Sequence, residues 1–159
     1  MSTNFNDSVP APVAGGVNVK FQTDGSGNDS AYVPAGSFPT SFPGADAVAQ
    51  AADISATTLL AVTASGLYRI SGYIIVTQTA TTSSVLPSIV ITWTDTDNST
   101  PQSFTLTPTN AGNVLTTLQQ GILIVDALTA TNIQYSTTGY ASVGGTVMNF
   151  GIHLRLESL

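Results

Sequence analysis

Apolar and polar residues alternate most regularly near the end of the printed sequence, over residues 146–157. Because successive side chains of a β-strand point to opposite faces, a period of two indicates a strand with one buried face. The apolar set is Met148, Phe150, Ile152, Leu154 and Leu156, and the opposite set is Val147, Asn149, Gly151, His153, Arg155 and Glu157. The pattern predicts a strand that places the first set in a core and the second set on a surface.

Six further segments between residues 57 and 137 are rich in Ile, Val, Thr and aromatic residues, which favour strands. The seven predicted strands span residues 57–63, 67–78, 88–94, 102–107, 114–125, 132–137 and 146–157. Clusters of Gly, Asn, Asp, Pro and Ser separate them, and no long helical pattern intervenes. Regular strands without intervening helices predict an all-β fold, an antiparallel sandwich of two sheets.

The first third of the chain differs from the rest in its content of proline and glycine. Residues 1–56 hold five of the eight prolines and six of the fourteen glycines. Two short extended pieces, 17–22 and 30–34, flank a strong turn signal, and residues 45–53 are the one plausible helix. We therefore predict an extended N-terminal arm and linker over residues 1–56, followed by the sandwich body over residues 57–159.

Composition narrows the class of protein further. Of 159 residues, 41 are Ser or Thr, only 8% are charged, and the formal net charge is −6. The ordinary hydrophobic content excludes a disordered chain, and three Lys and Arg residues are too few to neutralise a run of phosphates. The chain has no Cys, no apolar run long enough to cross a bilayer and no basic or apolar leader at its start. We expect synthesis in a cytoplasm, with no nucleic-acid or membrane partner.

Catalytic patterns are sparse. His153 is the only imidazole, and the sequence contains no Gly-x-Ser-x-Gly motif. A surface or interface histidine is therefore the favoured interpretation, and we expect neither enzymatic activity nor a cofactor. If several copies met around an axis, His153 could lie near its symmetry mates and make assembly sensitive to pH.

Two acidic clusters offer oxygen ligands at close spacing. One contains Asp95 and Asp97, and the other contains Asp24 and Asp29. The first lacks the Gly at the sixth position and the Glu at the twelfth position of a calcium-binding loop. An Asx-rich turn is favoured for each cluster, and calcium remains the alternative.

The scarcity of charge points to self-association. Long strands leave edges that charged side chains usually protect, yet between Asp97 and Arg155 the only formal charge is Asp126. Polar but uncharged faces are easy to bury against another copy, because hydroxyls lose less on desolvation than ions do. The candidate interface residues are Tyr73, Ile75, Val147 and His153. Tyr68, Ile70, Ile74 and Val76 are predicted on the opposite, core side of the same strand, and the alternative is that both sets face the interior of a single subunit.

Two stretches carry a family resemblance. Residues 65–76 open a strand on Gly66-x-Tyr68, and residues 139–156 form a terminal strand with an aromatic residue and a glycine. Together they resemble the tumour-necrosis-factor-like and complement-globular-head domains. That resemblance, which covers about residues 57–159, implies a jelly-roll sandwich and a compact homotrimer. Residues 17–34 resemble segments of tailed-bacteriophage virion proteins, and the absence of a collagen-like stalk and of cysteine favours a phage role over a signalling role.

The expected function is that of a structural virion protein, a trimeric decoration protein on the capsid exterior. The arm would attach to the major capsid protein, another virion protein or a neighbouring subunit by adding a strand to its sheet. The candidate attachment residues are Val17, Val19, Phe21, Tyr32 and Val33. The alternative is the distal domain of a tail fibre or spike that binds a host surface glycan or protein.

Overall fold

The structure is a computed structural model that describes residues 20–23, 29–32 and 39–159. The chain divides into two compact units, Met1–Pro39 and Thr40–Leu159. In the first unit, strand β1 (Lys20–Thr23) pairs antiparallel with strand β2 (Asp29–Tyr32). The described parts of both extended pieces predicted in this region are therefore strands.

The candidate attachment residues fall mostly beyond this description. Val17, Val19 and Val33 lie outside the described residues. Phe21 and Tyr32 are placed in β1 and β2, opposite Ala31 and Lys20 respectively, and their side chains lie outside the described part of the chain. Attachment through these five residues stays a prediction.

The second unit consists of ten strands and, within residues 39–159, no helix. The strands are β3 (Ser41–Gln50), β4 (Thr57–Ala61), β5 (Gly66–Gln78), β6 (Ser83–Val85), β7 (Ser88–Thr94), β8 (Pro101–Thr107), β9 (Leu118–Ala127), β10 (Asn132–Thr138), β11 (Ala141–Val143) and β12 (Asn149–Ser158). Two four-stranded sheets have the orders β4-β10-β7-β8, here called sheet I, and β3-β12-β5-β9, here called sheet II; β6 and β11 form a small third sheet. All pairings are antiparallel, which confirms an all-β, sandwich-like fold.

The core lies between the two large sheets and is almost entirely aliphatic and aromatic. Sheet II contributes Tyr68, Ile70, Ile74, Val76, Val125, Phe150, Ile152, Leu154 and Leu156, and sheet I contributes Ile89, Ile91, Leu106, Ile133 and Tyr135. The predicted alternation of the last strand is confirmed, because every member of its apolar set is buried. Burial of these side chains is the main stabilising contribution to the fold.

The predicted helix over residues 45–53 is wrong. Residues 41–50 form strand β3, which pairs with β12 so that Ala45 lies opposite Leu154 and Asp46 opposite His153. Alanine favours helices in isolation, but pairing with a long strand and burial of alternate residues outweigh that local preference. Phe42 and Ala45 pack against the core, and the compact unit accordingly begins at Thr40 instead of residue 57.

Asp53 fixes the connection between β3 and β4. Its carboxylate accepts hydrogen bonds from the backbone N–H groups of Gly139 and Tyr140, at 3.1 and 3.2 Å, and from the hydroxyl of Thr137 at 3.2 Å. The amide of Ile54 donates to the same hydroxyl at 2.7 Å. Through these hydrogen bonds Asp53 holds the connection against the end of β10.

Two glycines let the sandwich close tightly at sheet II. Gly72 and Gly121 lie opposite each other in β5 and β9. A Cβ atom on Gly72 would overlap the side chain of Leu154, and one on Gly121 would overlap the carbonyl oxygen of Leu106 in β8. At the end of β9 the backbone also joins the two large sheets. The amide of Leu128 donates to the carbonyl of Thr94 at 2.9 Å, and the amide of Thr96 donates to the carbonyl of Asp126 at 3.2 Å.

Candidate functional site

The residues predicted on the interface side of β5 lie on the outer face of sheet II. Tyr73 and Ile75 alternate with the buried Ile74 and Val76, and His153 lies directly opposite Tyr73 in β12. Val147 lies outside this face, in the connection before β12, and is half exposed. Three of the four candidate interface residues therefore share one surface.

Tyr73 and His153 form a stacked pair at the centre of this surface. Their ring centroids are 4.7 Å apart, with 26° between the ring planes. The Nδ1 atom of His153 lies 2.7 Å from a carboxylate oxygen of Asp46 in β3. Because a carboxylate only accepts, Nδ1 carries the hydrogen, and the imidazole is fixed in both position and tautomer.

Asp46 also binds Arg155, so one carboxylate serves two basic side chains. The guanidinium donates to its second oxygen at 3.0 Å and to the carbonyl of Leu154 at 2.8 Å. The hydrogen bond from Arg155, followed by the one from His153, holds the pKa of the Asp46 carboxyl below its ordinary value of 3.8. Arg69 forms a separate ion pair with Glu157 on the same face. Every ion pair found among the described residues thus lies on the outer face of sheet II.

A groove of about 650 Å³ runs over β5 between these side chains and β9. Its lining residues are Ser71, Gly72, Tyr73, Gln120, Gly121, Ile122, His153 and Arg155. Ser71 is the smallest outward side chain among them and lies between Ile122 on one side and Arg155 on the other, which makes it the floor. The groove arises because a short side chain is flanked by longer ones on both neighbouring strands.

Apolar side chains flank the groove. Six of the large apolar side chains that are exposed in the described part of the chain lie on strands of sheet II: Val48, Leu67, Tyr73, Leu118, Ile122 and Ile124. Three of them, Leu118, Ile122 and Ile124, lie on the outer side of β9, with Gln120 between Leu118 and Ile122, and we call this set the β9 ridge. Their exposed fractions are 41%, 70% and 56%. Exposed apolar side chains clustered on one face mark an interaction site more often than scattered ones do.

The Asp46–His153 pair has the geometry in which a carboxylate orients a catalytic imidazole. The other ring nitrogen of His153, Nε2, lies near Gly151. A Cβ atom added to that glycine would be 3.6 Å from it. Among the described residues no hydroxyl forms a hydrogen bond with the ring. The arrangement orients an imidazole against an aromatic ring and an open groove.

The acidic turn after β7 is held by its own side chains. Asp95 accepts a hydrogen bond from the amide of Asp97 at 3.1 Å, and Asn98 accepts one from the amide of Thr100 at 2.9 Å, as in Asx turns. Within residues 39–159 no group of three or more acidic or imidazole side chains is placed to hold a metal ion. The other predicted cluster, with Asp24 and Asp29, has its side chains outside the described residues.

Asp46, which contacts both His153 and Arg155, is not predicted from the sequence. The interval of 107 residues between Asp46 and His153 carries no local signal, since the contact depends on the register of β3 against β12. One signal was present: Phe42, Ala45 and Ala47 face the core and Asp46 faces outward, a partial alternation that the alanine content masks.

Comparison with known proteins adds no relative. No family model, no curated protein and no solved structure matches the chain. In the part of the chain that the structure describes, there is no helix of the length and apolar character needed to cross a membrane.

Proposed function

We propose that this protein is a structural component of a tailed-bacteriophage virion, a homotrimeric decoration protein with a jelly-roll body and an attachment arm. The observation that carries the proposal is the outer face of sheet II, which exposes six large apolar side chains in the single chain and holds both of its arginines in ion pairs. Such a face is characteristic of a subunit that is buried against other subunits. The phage assignment itself is supported by the resemblance of residues 17–34 to virion segments.

The order of pairing supports the jelly-roll assignment. The second unit has eight strands besides the short β6 and β11. These eight pair first with last and then inward: β3 with β12, β4 with β10, β5 with β9 and β7 with β8. Eight strands nested in this way and divided between two sheets correspond to a long hairpin rolled up, the arrangement of jelly rolls in viral capsid domains.

The arm accounts for attachment in this proposal. Two short paired strands in residues 20–32 are suited to joining the sheet of a capsid protein, since main-chain hydrogen bonds supply affinity without a specific side-chain pocket. Three arms per trimer would bind together, and their combined affinity would exceed that of one arm by orders of magnitude.

Removal of residues 1–34 tests the proposal. The truncated protein should remain a trimer in solution. It should lose binding to particles that lack the protein, as measured by co-sedimentation and by electron microscopy of labelled particles. Retained binding of the truncated protein to capsids, or label at the tail tip alone, would contradict a decoration role. The full chain with Phe21→Ser and Tyr32→Ser is the milder variant, and weakened particle binding is expected for it.

A distal receptor-binding domain is the second candidate, and one observation favours it. Exposed apolar side chains lie in loops at Val114, Leu115 and Val147 and at the end of β11 at Val143. Asn113 ties the loop that carries Val114 and Leu115 to Ala80, because its side chain accepts from the amide of Ala80 at 2.7 Å and donates to the carbonyl of the same residue at 2.9 Å. Binding of the isolated body to host cells, abolished by Leu115→Asp, would support this function over decoration.

A further inference from the structure

We infer that the groove over β5 is a binding site for a neutral glycan, a short chain of sugar units with many hydroxyl groups and no charge. The inference goes beyond the decoration role and does not depend on it, because it concerns a ligand of the single chain. The groove crosses three of the four strands of sheet II, β9, β5 and β12. Its volume of about 650 Å³ lies within the range of small-molecule sites, about 300–1,000 Å³.

An aromatic ring and an aliphatic side chain supply the apolar part of the site. Tyr73 is stacked on His153 and is still 38% exposed. Ile122, a member of the β9 ridge, lies beside the floor at Ser71 and is 70% exposed. The face of an aromatic ring is electron-rich and attracts the C–H groups that cover one side of a sugar ring. Tyr73 and Ile122 therefore offer a surface on which the apolar side of a sugar would pack.

Polar groups that have no partner in the single chain line the same groove. Among the described residues, none forms a hydrogen bond with the side-chain hydroxyls of Ser71 and Tyr73 or with the side-chain amide of Gln120. A hydroxyl both donates and accepts, and a side-chain amide contains donors and an acceptor. These groups match the hydroxyls of a sugar, which also donate and accept. An apolar surface with a few polar groups is the composition of a small-molecule site.

One wall of the groove is already held in place by Asp46. Its carboxylate binds Nδ1 of His153 and the guanidinium of Arg155, which also donates to the carbonyl of Leu154. A guanidinium has five N–H groups, so Arg155 has others to donate to an oxygen of the ligand. Because these contacts exist in the free chain, binding would order few side chains, and the loss of entropy would be small.

Charge favours a neutral ligand over an acidic or a basic one. Arg155 is the one Lys, Arg, Asp or Glu among the described lining residues, and its charge is balanced by Asp46. The net charge of −6 repels an acidic ligand that approaches the chain. A basic ligand would find no carboxylate among the lining residues that the structure describes. A ligand that carries hydroxyl groups alone needs no counter-charge.

A glycan in the groove is compatible with contacts between copies. The exposed apolar side chains of sheet II that lie outside the lining are Val48, Leu67, Leu118 and Ile124. Contacts between copies through these four residues would leave the lining of the groove to the ligand.

Calorimetric titration of the full chain with oligosaccharides tests the inference. The probes are the neutral maltotriose, cellotriose, chitotriose and mannotriose, and the acidic sialyllactose and trigalacturonate. At least one neutral probe should bind with a dissociation constant of about 1 mM or lower, and both acidic probes should bind at least about 10-fold more weakly.

Matched variants locate the site, with the tightest neutral probe as ligand. Tyr73→Ala should raise the dissociation constant at least about 10-fold, on the scale of a lost aromatic contact. Phe104→Ala removes an exposed aromatic ring from sheet I and should leave binding unchanged. Ser71→Trp fills the groove and should abolish binding, whereas Ser103→Trp adds the same ring to an exposed position of β8 and should not affect it.

A milder variant keeps the test decisive if a larger change disturbs the fold. Gln120→Ala lies at an exposed position and should raise the dissociation constant about 5-fold, on the scale of one hydrogen bond. Circular dichroism and melting temperature verify that each variant is folded, which is expected because none of these positions is in the core.

The inference is overturned if no neutral probe binds, if an acidic probe binds more tightly than every neutral one, or if the folded groove variants bind like the wild type. Sedimentation and particle binding of the same samples report on the proposed function separately. A trimer that binds particles and no glycan contradicts the inference alone. A chain that binds a glycan in the groove but neither trimerises nor binds particles contradicts the proposed function alone.

Discussion

The two outer faces of the sandwich differ in what they expose to water. The strands of sheet I contain no Asp, Glu, Lys or Arg, and their outward positions include Thr58, Thr92, Ser103, Thr105 and Ser136. The strands of sheet II hold every ion pair of the described residues and six exposed large apolar side chains, whereas those of sheet I expose only Phe104. One face is uncharged and consists mainly of hydroxyl side chains, and the other combines exposed apolar side chains with ion pairs.

The difference is what the proposed association of copies would require. A face of hydroxyl groups is well hydrated and has no apolar row for a partner to cover. On the other face Arg69, Arg155 and His153 are each paired with a carboxylate, which would limit the desolvation cost of burying them. The few charges of the two large sheets lie on the strands of sheet II, the sheet to which the proposal assigns the contact.

The largest expected effect comes from crowding the inner side of sheet II. Gly72→Val should lower the free energy of unfolding by about 3 kcal/mol, because the added atoms overlap Leu154 and the backbone of His153. Gly151→Ala is the matched control, since a Cβ there meets its nearest neighbours at 3.5 Å or more, and it should change stability by less than about 1 kcal/mol. Urea denaturation measures both. If the two variants lost the same free energy of unfolding, the inner side of sheet II at Gly72 would be no more tightly packed than the position of Gly151.

A smaller effect is expected at the tie between the β3–β4 connection and sheet I. Asp53→Ala removes the acceptor for the amides of Gly139 and Tyr140 and should cost about 1–2 kcal/mol. Asp97→Ala removes an exposed carboxylate and should stay within about 0.5 kcal/mol of the wild type. Thermal unfolding of the two variants side by side provides the measurement. If both were neutral, Asp53 would not hold the connection.

A charge added to the outer face of sheet I should have little effect. Thr105→Lys places an ion on an exposed position of β8, so stability should change by less than about 0.5 kcal/mol and the oligomeric mass should stay the same. Light scattering after size-exclusion chromatography reads the mass directly. Dissociation caused by this lysine would show that the hydroxylated face is the one buried between subunits.

The smallest effect concerns acid. The pKa of Asp46 is lowered in the folded chain, so its stabilising contribution is present above the ordinary value of 3.8 and is lost as the pH falls through the lower folded value. Asp46→Asn should therefore be less stable than the wild type near neutral pH, and the difference in stability should shrink as the pH falls below 3.8. Denaturation at a series of pH values tests this. A gap that widened in acid would assign the opposite sign to the interaction.

Much of the fold could be predicted from the sequence because its strands are long and regular. The strand predicted at residues 146–157 has five apolar residues with a strict period of two; all five are buried, four of them in β12 and Met148 directly before it. The short strands β6 and β11 could not be predicted, because three residues carry no period and their pairing depends on the loops around them. Strand β3 was hidden by alanine, whose local preference opposes the pairing that the fold imposes.

The candidate site was predictable in part for a similar reason. Tyr73 and His153 each lie on a strand whose alternation assigns them to the outer side, so their shared face follows once the two strands are neighbours. Asp46, Arg155 and the groove over Ser71 depend on register and on the relative lengths of side chains from three strands. Such information is a property of the assembled sheet and is not encoded in any one segment.

The backbone links beside the end of β9 bear on whether association can run on without limit. An open strand edge can template fibre growth, because each added strand presents a new edge of the same kind. Here the amide of Thr96 and the carbonyl of Thr94 already occupy the backbone groups of Asp126 and Leu128. Incoming chains would find part of that edge taken, so growth into amyloid-like ribbons is hindered while contacts between side chains remain open.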